Sequence, residues 1–374
     1  MPSVTYVFKT GRKEDLLKNT VRANDFFYGA KEFKKLGFDV NVIEFKKDYE
    51  KKSKFLTFFD RVLIKISGFP FSTSKLLTFK NFKIFFNSNV IFLVNESISI
   101  SFIPFAFFLK FLKKTKINIF LMGITNLNKK KSKPSGIQKA ITSLLFKLSN
   151  NVYFLGNGEQ VFANSHYPKY AKKFKLVPFS VDYNFWSEPN NSKIHKKNGI
   201  LFVGNDGQRD FDLLLKIAKN IKDLDFTFVT QKISVNKTLP SNVNLIRGSL
   251  HDKKLTDNEL SELYCKSRIV ILPLKESLQP SGQSVTLQSM ASSTPVMISK
   301  TQGFWDFKNF QDKNNILLIE PNNLETWVKE IRVNYQNEDL LSKIATNAAR
   351  LIFTKYNTKN LFDLLMSDNF KNRI

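Results

Sequence analysis

Residues 200–229 read ILFVGNDGQRDFDLLLKIAKNIKDLDFTFV. The four apolar residues Ile200 to Val203 are too few for a helix and fit a buried strand. A polar turn with two glycines, Gly204 and Gly207, comes next. Apolar residues then recur at helical spacing over 210–220, and Phe226 to Val229 is a second apolar run. Strand, turn, helix and strand in this order is the unit from which parallel sheets are built.

The alternation continues in both directions. Downstream, strands are predicted at Val243–Ile246, Ile269–Leu272, Val296–Ile298 and Ile316–Ile319. Helices are predicted over 257–267, 284–292, 323–335, 338–353 and 358–367, the first opening with a capping box from Thr256 to Glu259. Upstream, strands are predicted at Val4–Phe8, Val40–Phe45, Val90–Val94, Ile117–Met122, Val152–Leu155 and Lys175–Phe179, with helices over 24–36, 103–113 and 137–148. Residues 53–86 are rich in Phe and Lys and give no clear pattern, and 126–136 reads as a basic loop. A polar stretch, 187–198, separates the two runs. The 374 residues are therefore expected to form two doubly wound α/β domains, at ~150 residues each. These are 1–186 and 199–356, joined by the linker 187–198, with 357–374 a last helix packing back on the first domain.

Composition narrows the class. Apolar residues are 42% and charged residues 24%, as in ordinary globular chains, which argues against disorder. One cysteine, Cys265, excludes a disulfide framework and a cysteine zinc site. The three histidines, His166, His195 and His251, lie far apart, so no metal site is expected. The longest apolar stretch, Phe102 to Leu109, falls well short of a ~20-residue membrane span, and no signal peptide is visible. The expected location is cytoplasmic, with peripheral association at the inner membrane face as a variant.

The net charge of +26 is unevenly placed, with +20 in residues 1–186 and +6 in 187–374. Between 51 and 150, 18 basic residues face two acids, Asp60 and Glu96. A surplus this local draws anionic partners. Nucleic-acid modules such as an RNP motif, a helix-turn-helix or a zinc finger are absent, so nucleic acid is not the expected partner. The segment 102–114 is aromatic and then basic, which fits a membrane interface or, equally, an ordinary core helix.

Ligands of open α/β sheets bind beyond the C-terminal ends of the strands. One such loop is Gly204-Asn205-Asp206-Gly207-Gln208-Arg209, where Arg209 precedes a helix and could clamp a phosphate. Lys232, after strand 226–229, is a further candidate. The segment Ser281-Gly282-Gln283-Ser284-Val285-Thr286-Leu287-Gln288 opens a helix whose N-terminus suits a diphosphate. Ser281, Gln283, Ser284 and Thr286 add neutral donors. In the first domain the corresponding edge loops are Thr10-Gly11-Arg12, Asn95-Glu96-Ser97 and Gly123 to Asn126. Glu96 follows a buried strand and is the candidate carboxylate.

Taken in order, several segments resemble a GT-B glycosyltransferase, and are most similar to the large retaining family 4. They are Val177 to Asp182, Ile200 to Gly204, Leu272 to Leu274, Ser281-Gly282 to Met290-Ala291, and Ser293 to Val296. The resemblance implies two Rossmann-like domains facing a central cleft. It implies a nucleotide-sugar site in the C-terminal domain, an acceptor site in the N-terminal domain, no required metal and no cofactor. By position it puts the diphosphate turn on Ser281, Gly282, Gln283 and Ser284, the basic contact on Arg209, and the ribose contact on Gln288. The chain departs from the family where the two glutamates of its E-x7-E motif would stand: Gln279 and Gln288 lie near those places.

The reaction expected is hexosyl transfer from a nucleotide sugar to a glycan or lipid-linked acceptor, as in cell-surface polysaccharide synthesis. Arg209 and the turn at 282–284 would stabilise the leaving diphosphate, and Glu96 would be the base if transfer inverts. Alternatives are an inactive nucleotide-sugar-binding protein, a nucleotide-sugar epimerase of the same architecture and a nucleic-acid-binding protein.

Overall fold

The computed structural model describes residues 1–17, 22–45, 54–113, 115–123, 135–187, 197–234, 238–248 and 255–370. Most of the basic loop 126–136, the edge-loop residues Ile124 to Asn126 and the linker core 188–196 lie outside these. The first lobe runs β1 (Ser3–Phe8), α1 (Lys13–Leu17), α2 (Ala30–Lys35), β2 (Asp39–Glu44), α3 (Lys54–Ser67), α4 (Phe79–Asn87), β3 (Val90–Val94), α5 (Glu96–Ser101), α6 (Ile103–Leu112), β4 (Lys116–Leu121), α7 (Gly136–Leu148), β5 (Asn151–Phe154), α8 (Asn157–His166), β6 (Phe174–Leu176) and α9 (Tyr183–Ser187). The second runs β7 (Ile200–Val203), α10 (Phe211–Asn220), β8 (Phe226–Val229), β9 (Val243–Ile246), α11 (Asp257–Lys266), β10 (Ile269–Leu272), α12 (Gln283–Ala291), β11 (Val296–Ser299), β12 (Leu317–Ile319), α13 (Leu324–Tyr335) and α14 (Glu338–Lys355). A last helix, α15 (Thr358–Phe370), returns to the first lobe.

Each lobe has one six-stranded parallel sheet, ordered β2-β1-β3-β4-β5-β6 and β12-β11-β10-β7-β8-β9. Strands buried on both faces read as continuous apolar runs, and β3 (VIFLV) and β10 (IVIL) are of this kind. The strand order reverses between β1 and β3 in the first sheet, and between β7 and β10 in the second. These switch points are where crevices open.

One face of the first sheet is covered by α4, α6 and α7, whose Phe85, Phe105 and Phe146 share a core with Val7, Ile91 and Ile119. The other face packs against α2 and α15. The ring of Phe33 lies 4.9 Å from Phe362 and 5.8 Å from Phe370. Asn118 donates to Asn369 at 2.7 Å, and Tyr153 donates to Asp368 at 3.0 Å.

Candidate active site

The two switch points face each other across a cavity of about 430 Å³. The first lobe contributes the loop after β1, with Gly11 and Arg12, and the segment around Ala23, Phe26 and Phe27. The second contributes the loop after β7 (Gly204, Asn205, Asp206, Arg209) and Ser284 and Val285 from α12. Val203, Val229, Leu255 and Leu260 make an apolar wall, and Asp257 stands at the start of α11 beside it.

Arg209 is the buried cation of this arrangement. It is 3% exposed. Its Nη1 lies 3.1 Å from an Asp206 carboxylate oxygen, an ion pair without hydrogen-bond alignment. Both Nε and Nη1 are buried with no hydrogen-bond partner. Burial lowers the guanidinium pKa, and Asp206 partly offsets this. A buried cation with unmatched N–H groups carries a desolvation cost that an anion in the cavity would relieve. Gly204 makes room for it, since a Cβ there would come within 2.9 Å of Arg209 Cγ and closer still to Nε.

The turn before α12 sits against the same guanidinium. Gly282 caps the helix at φ +85°, with no side-chain cap, and a Cβ on it would lie 3.7 Å from Arg209 Nη1. The arginine and a helix N-terminus with its positive dipole end therefore stand side by side.

From the first lobe, Arg12 faces the cavity. Its guanidinium carbon is 5.0 Å from the Phe8 ring centre and 5.9 Å from that of Phe26. Its Nε is also buried without a partner, and burial lowers its pKa. The sequence placed Arg12 in an edge loop, Thr10-Gly11-Arg12, without giving it a role. The usable signal was its place after the strand at the switch point. Asp257, Leu255 and Leu260 were missed because a helix start and its apolar face look structural in isolation.

Other candidates stand elsewhere. Three glutamines of the second lobe reach across to the first. Gln279 Nε2 donates to the Met122 carbonyl at 2.5 Å and Gln283 Nε2 to the Leu155 carbonyl at 2.6 Å. Gln288 Nε2 donates to Asp25 Oδ2 at 2.8 Å, while its Oε1 accepts from the Tyr264 hydroxyl at 3.2 Å. So the amides of Gln283 and Gln288 hold the lobes together and do not line the cavity. Asp25 is fully buried and also accepts from the Asp182 amide at 2.6 Å and from Trp186 Nε1 at 2.9 Å. Burial outweighs these donors and raises its pKa to about 7.

Glu96 is buried, accepts from the Met122 amide and from Asn95 Nδ2 at 2.8 Å, and its pKa is raised by burial. It ties the end of β3 to the end of β4 behind the inter-lobe contact and outside the cavity lining. Lys232 is exposed and also outside the lining, as are Ser281 and the fully buried Thr286. Asn205 lines the cavity, but its side chain braces the strand ends: it donates to the Gly248 carbonyl at 3.1 Å and accepts from the Gln231 amide at 2.6 Å. Among the described residues no cluster of three or more His, Cys, Asp or Glu could hold a metal ion. No helix among them is long and apolar enough to cross a membrane.

Among curated proteins none matches this chain. Solved structures align over nearly its whole length. A glycosyltransferase from Rickettsia africae is 14% identical, with TM-score 0.66 and 99% of each chain covered. HepE of Anabaena, solved with UDP, is 12% identical, with TM-score 0.65 and 98% of each chain covered. Sucrose-phosphate synthase from Thermosynechococcus elongatus is 12% identical, with TM-score 0.70, covering 99% of this chain and 98% of that one. At such identities the likeness is one of fold, and the fold is GT-B. Residues 197–337, which carry Arg209 and α12, match the family model for glycosyl transferases group 1.

Proposed function

We propose that the protein transfers a hexosyl group from a nucleotide sugar to a glycan or lipid-linked acceptor. The observation that carries this reading is the buried Arg209 guanidinium, with Nε and Nη1 free of hydrogen bonds, beside the open N-terminus of α12 at an inter-lobe cavity. In such a transfer the bond from the sugar's anomeric carbon to the diphosphate breaks, a bond to an acceptor oxygen forms, and negative charge grows on the departing nucleoside diphosphate. Arg209 and the helix N-terminus meet that charge in a site of low dielectric. Arg12 adds a second cation from the opposite lobe. On this reading the two arginines and the helix end supply the charge that a metal supplies elsewhere, so chelator leaves the rate unchanged. Glu96 acts as a positioning group for the Met122–Gly123 turn.

UDP is the proposed nucleotide, supported by the UDP found with HepE in a fold of the same type. A thermal-shift comparison of UDP, GDP, ADP and CMP tests it. A nucleotide at a hundredfold excess over its Kd stabilises the native state by about 2.7 kcal/mol. UDP is expected to raise the melting temperature of the wild type and not of Arg209→Ala. No shift with any nucleotide rejects the reading. A second reading, a nucleotide-sugar-binding protein without turnover, is favoured by Gln288, which holds Asp25 where relatives are expected to present a carboxylate to the ligand. Release of free sugar or glycosylated product from a labelled donor decides between them.

A further inference from the structure

The outer side of the first lobe presents a helix turned inside out. In α3 the fully buried side chains are polar, Asp60 and Ser67, with the half-buried Leu63 between them packed against the core. The Asp60 carboxylate accepts from the Thr73 and Ser74 amides, each at 2.9 Å. Phe55, Phe58, Phe59 and Ile66, spaced along one helical stripe, point to solvent, with Phe55 67% exposed. An amphipathic helix in a globular protein ordinarily buries that stripe.

Its neighbours continue the pattern. Phe79 of α4 is 87% exposed and Phe111 of α6 is 73% exposed, with Phe107, Phe108 and Leu112 beside it. α4, α6 and α7 lie on one face of the first sheet. α3 is fastened to α7, where Gln138 Nε2 donates to the Ser67 carbonyl at 3.0 Å. Their outward sides thus look away from the same side of the molecule.

Lysines are interleaved with the rings: Lys54 and Lys65 on α3, Lys80 and Lys83 on α4, Lys110 on α6 and Lys113 at its end are all exposed. The two acids between 54 and 113, Asp60 and Glu96, are both buried. A protein partner would favour an interface core depleted in lysine. A bilayer accepts both features, rings at the acyl boundary and ammonium groups at anionic headgroups.

We propose that the α3, α4 and α6 face docks on the surface of an anionic lipid bilayer. The test is flotation of the full chain with phosphatidylcholine vesicles, with and without about a quarter phosphatidylglycerol, at low salt and at ~0.5 M salt. The wild type floats with the anionic vesicles. Lys80→Glu with Lys83→Glu reduces this at least about tenfold at low salt. Phe55→Ser with Phe58→Ser and Phe111→Ser reduces it at least about tenfold and removes the fraction that survives high salt. All five positions are exposed, and far-UV circular dichroism with a melting curve confirms that each variant is folded. Absence of flotation at low salt overturns the proposal. So does flotation unchanged by the ring variant, or capture by duplex RNA or DNA in preference to vesicles. No nucleotide is present in the assay, so its failure leaves the transferase reading intact.

Discussion

The first lobe holds +20 of the chain's +26 charge, much of it as lysines in water, whereas the second holds +6 and keeps Arg209 at 3% exposure beside the cavity. Charge density would place an anion site in the first lobe. On the proposed reading, burial places it in the second. An exposed ammonium acts through water, and salt screens it beyond roughly 8–10 Å. A guanidinium already stripped of water by the fold, with two nitrogens unmatched, gains far more from an incoming anion. Folding therefore bears the desolvation in advance, and the ligand does not. The lysine face is suited to a broad, weak, salt-dependent attraction, and the arginine to a single specific one.

Five variants probe this contrast. Arg209→Ala is expected to lower transfer by ~10²–10³-fold, as loss of a preorganised charge donor does. Lys80→Glu with Lys83→Glu should leave nucleotide affinity within about twofold. Steady-state rates and nucleotide titrations check both, and equal losses would erase the distinction between the lobes.

Asp25→Asn comes next. Three N–H donors converge on that carboxylate, and an amide can satisfy only part of them, so a loss of about 1–3 kcal/mol is expected in chemical denaturation. The folded pKa of Asp25 is raised from 3.8 to about 7. Its contribution to stability is therefore complete below 3.8 and is lost as pH rises to about 7, then levels off. The stability difference between wild type and Asn variant should change across that window, and a constant difference would contradict the buried clasp.

A smaller effect is expected of Gly204→Ala. The new methyl presses on the arginine stem, and a tilted guanidinium should bind nucleotide about tenfold more weakly at nearly unchanged melting temperature. Least affected should be Lys232→Ala, within about twofold in any rate, because its side chain is exposed outside the cavity lining.

Much of the architecture was legible in the chain because strands such as ILFV at 200–203 and IVIL at 269–272 are short, apolar and punctuated by polar turns. Several helices at the strand ends of the first lobe were not, α5 and α8 among them. α5 (ESISIS) alternates apolar and polar residues like a strand, and α8 (NGEQVFANSH) has too few apolar residues to show a stripe. Of the site, Arg209, Gly204 and the turn at Gly282 could be read from loop position after a strand. Gln283 and Gln288 could not, since their partners Leu155 and Asp25 lie 128 and 263 residues away. A polar residue near a helix start looks the same whether it meets a ligand or the opposite lobe. For Arg12 the loop position was legible and the role was not: only tertiary structure shows that Phe8 and Phe26 hold it toward the cleft.

The return of α15 to the first sheet has a consequence for how the chain is made. Phe33 emerges early in synthesis, yet Phe362 and Phe370, which flank it, emerge after the whole second lobe. The lobe that begins first is thus finished last, and its apolar flank stays open while residues 200–355 fold. An isolated first-lobe fragment ending at 187 would carry that open flank permanently, whereas one with 358–370 grafted behind it would close.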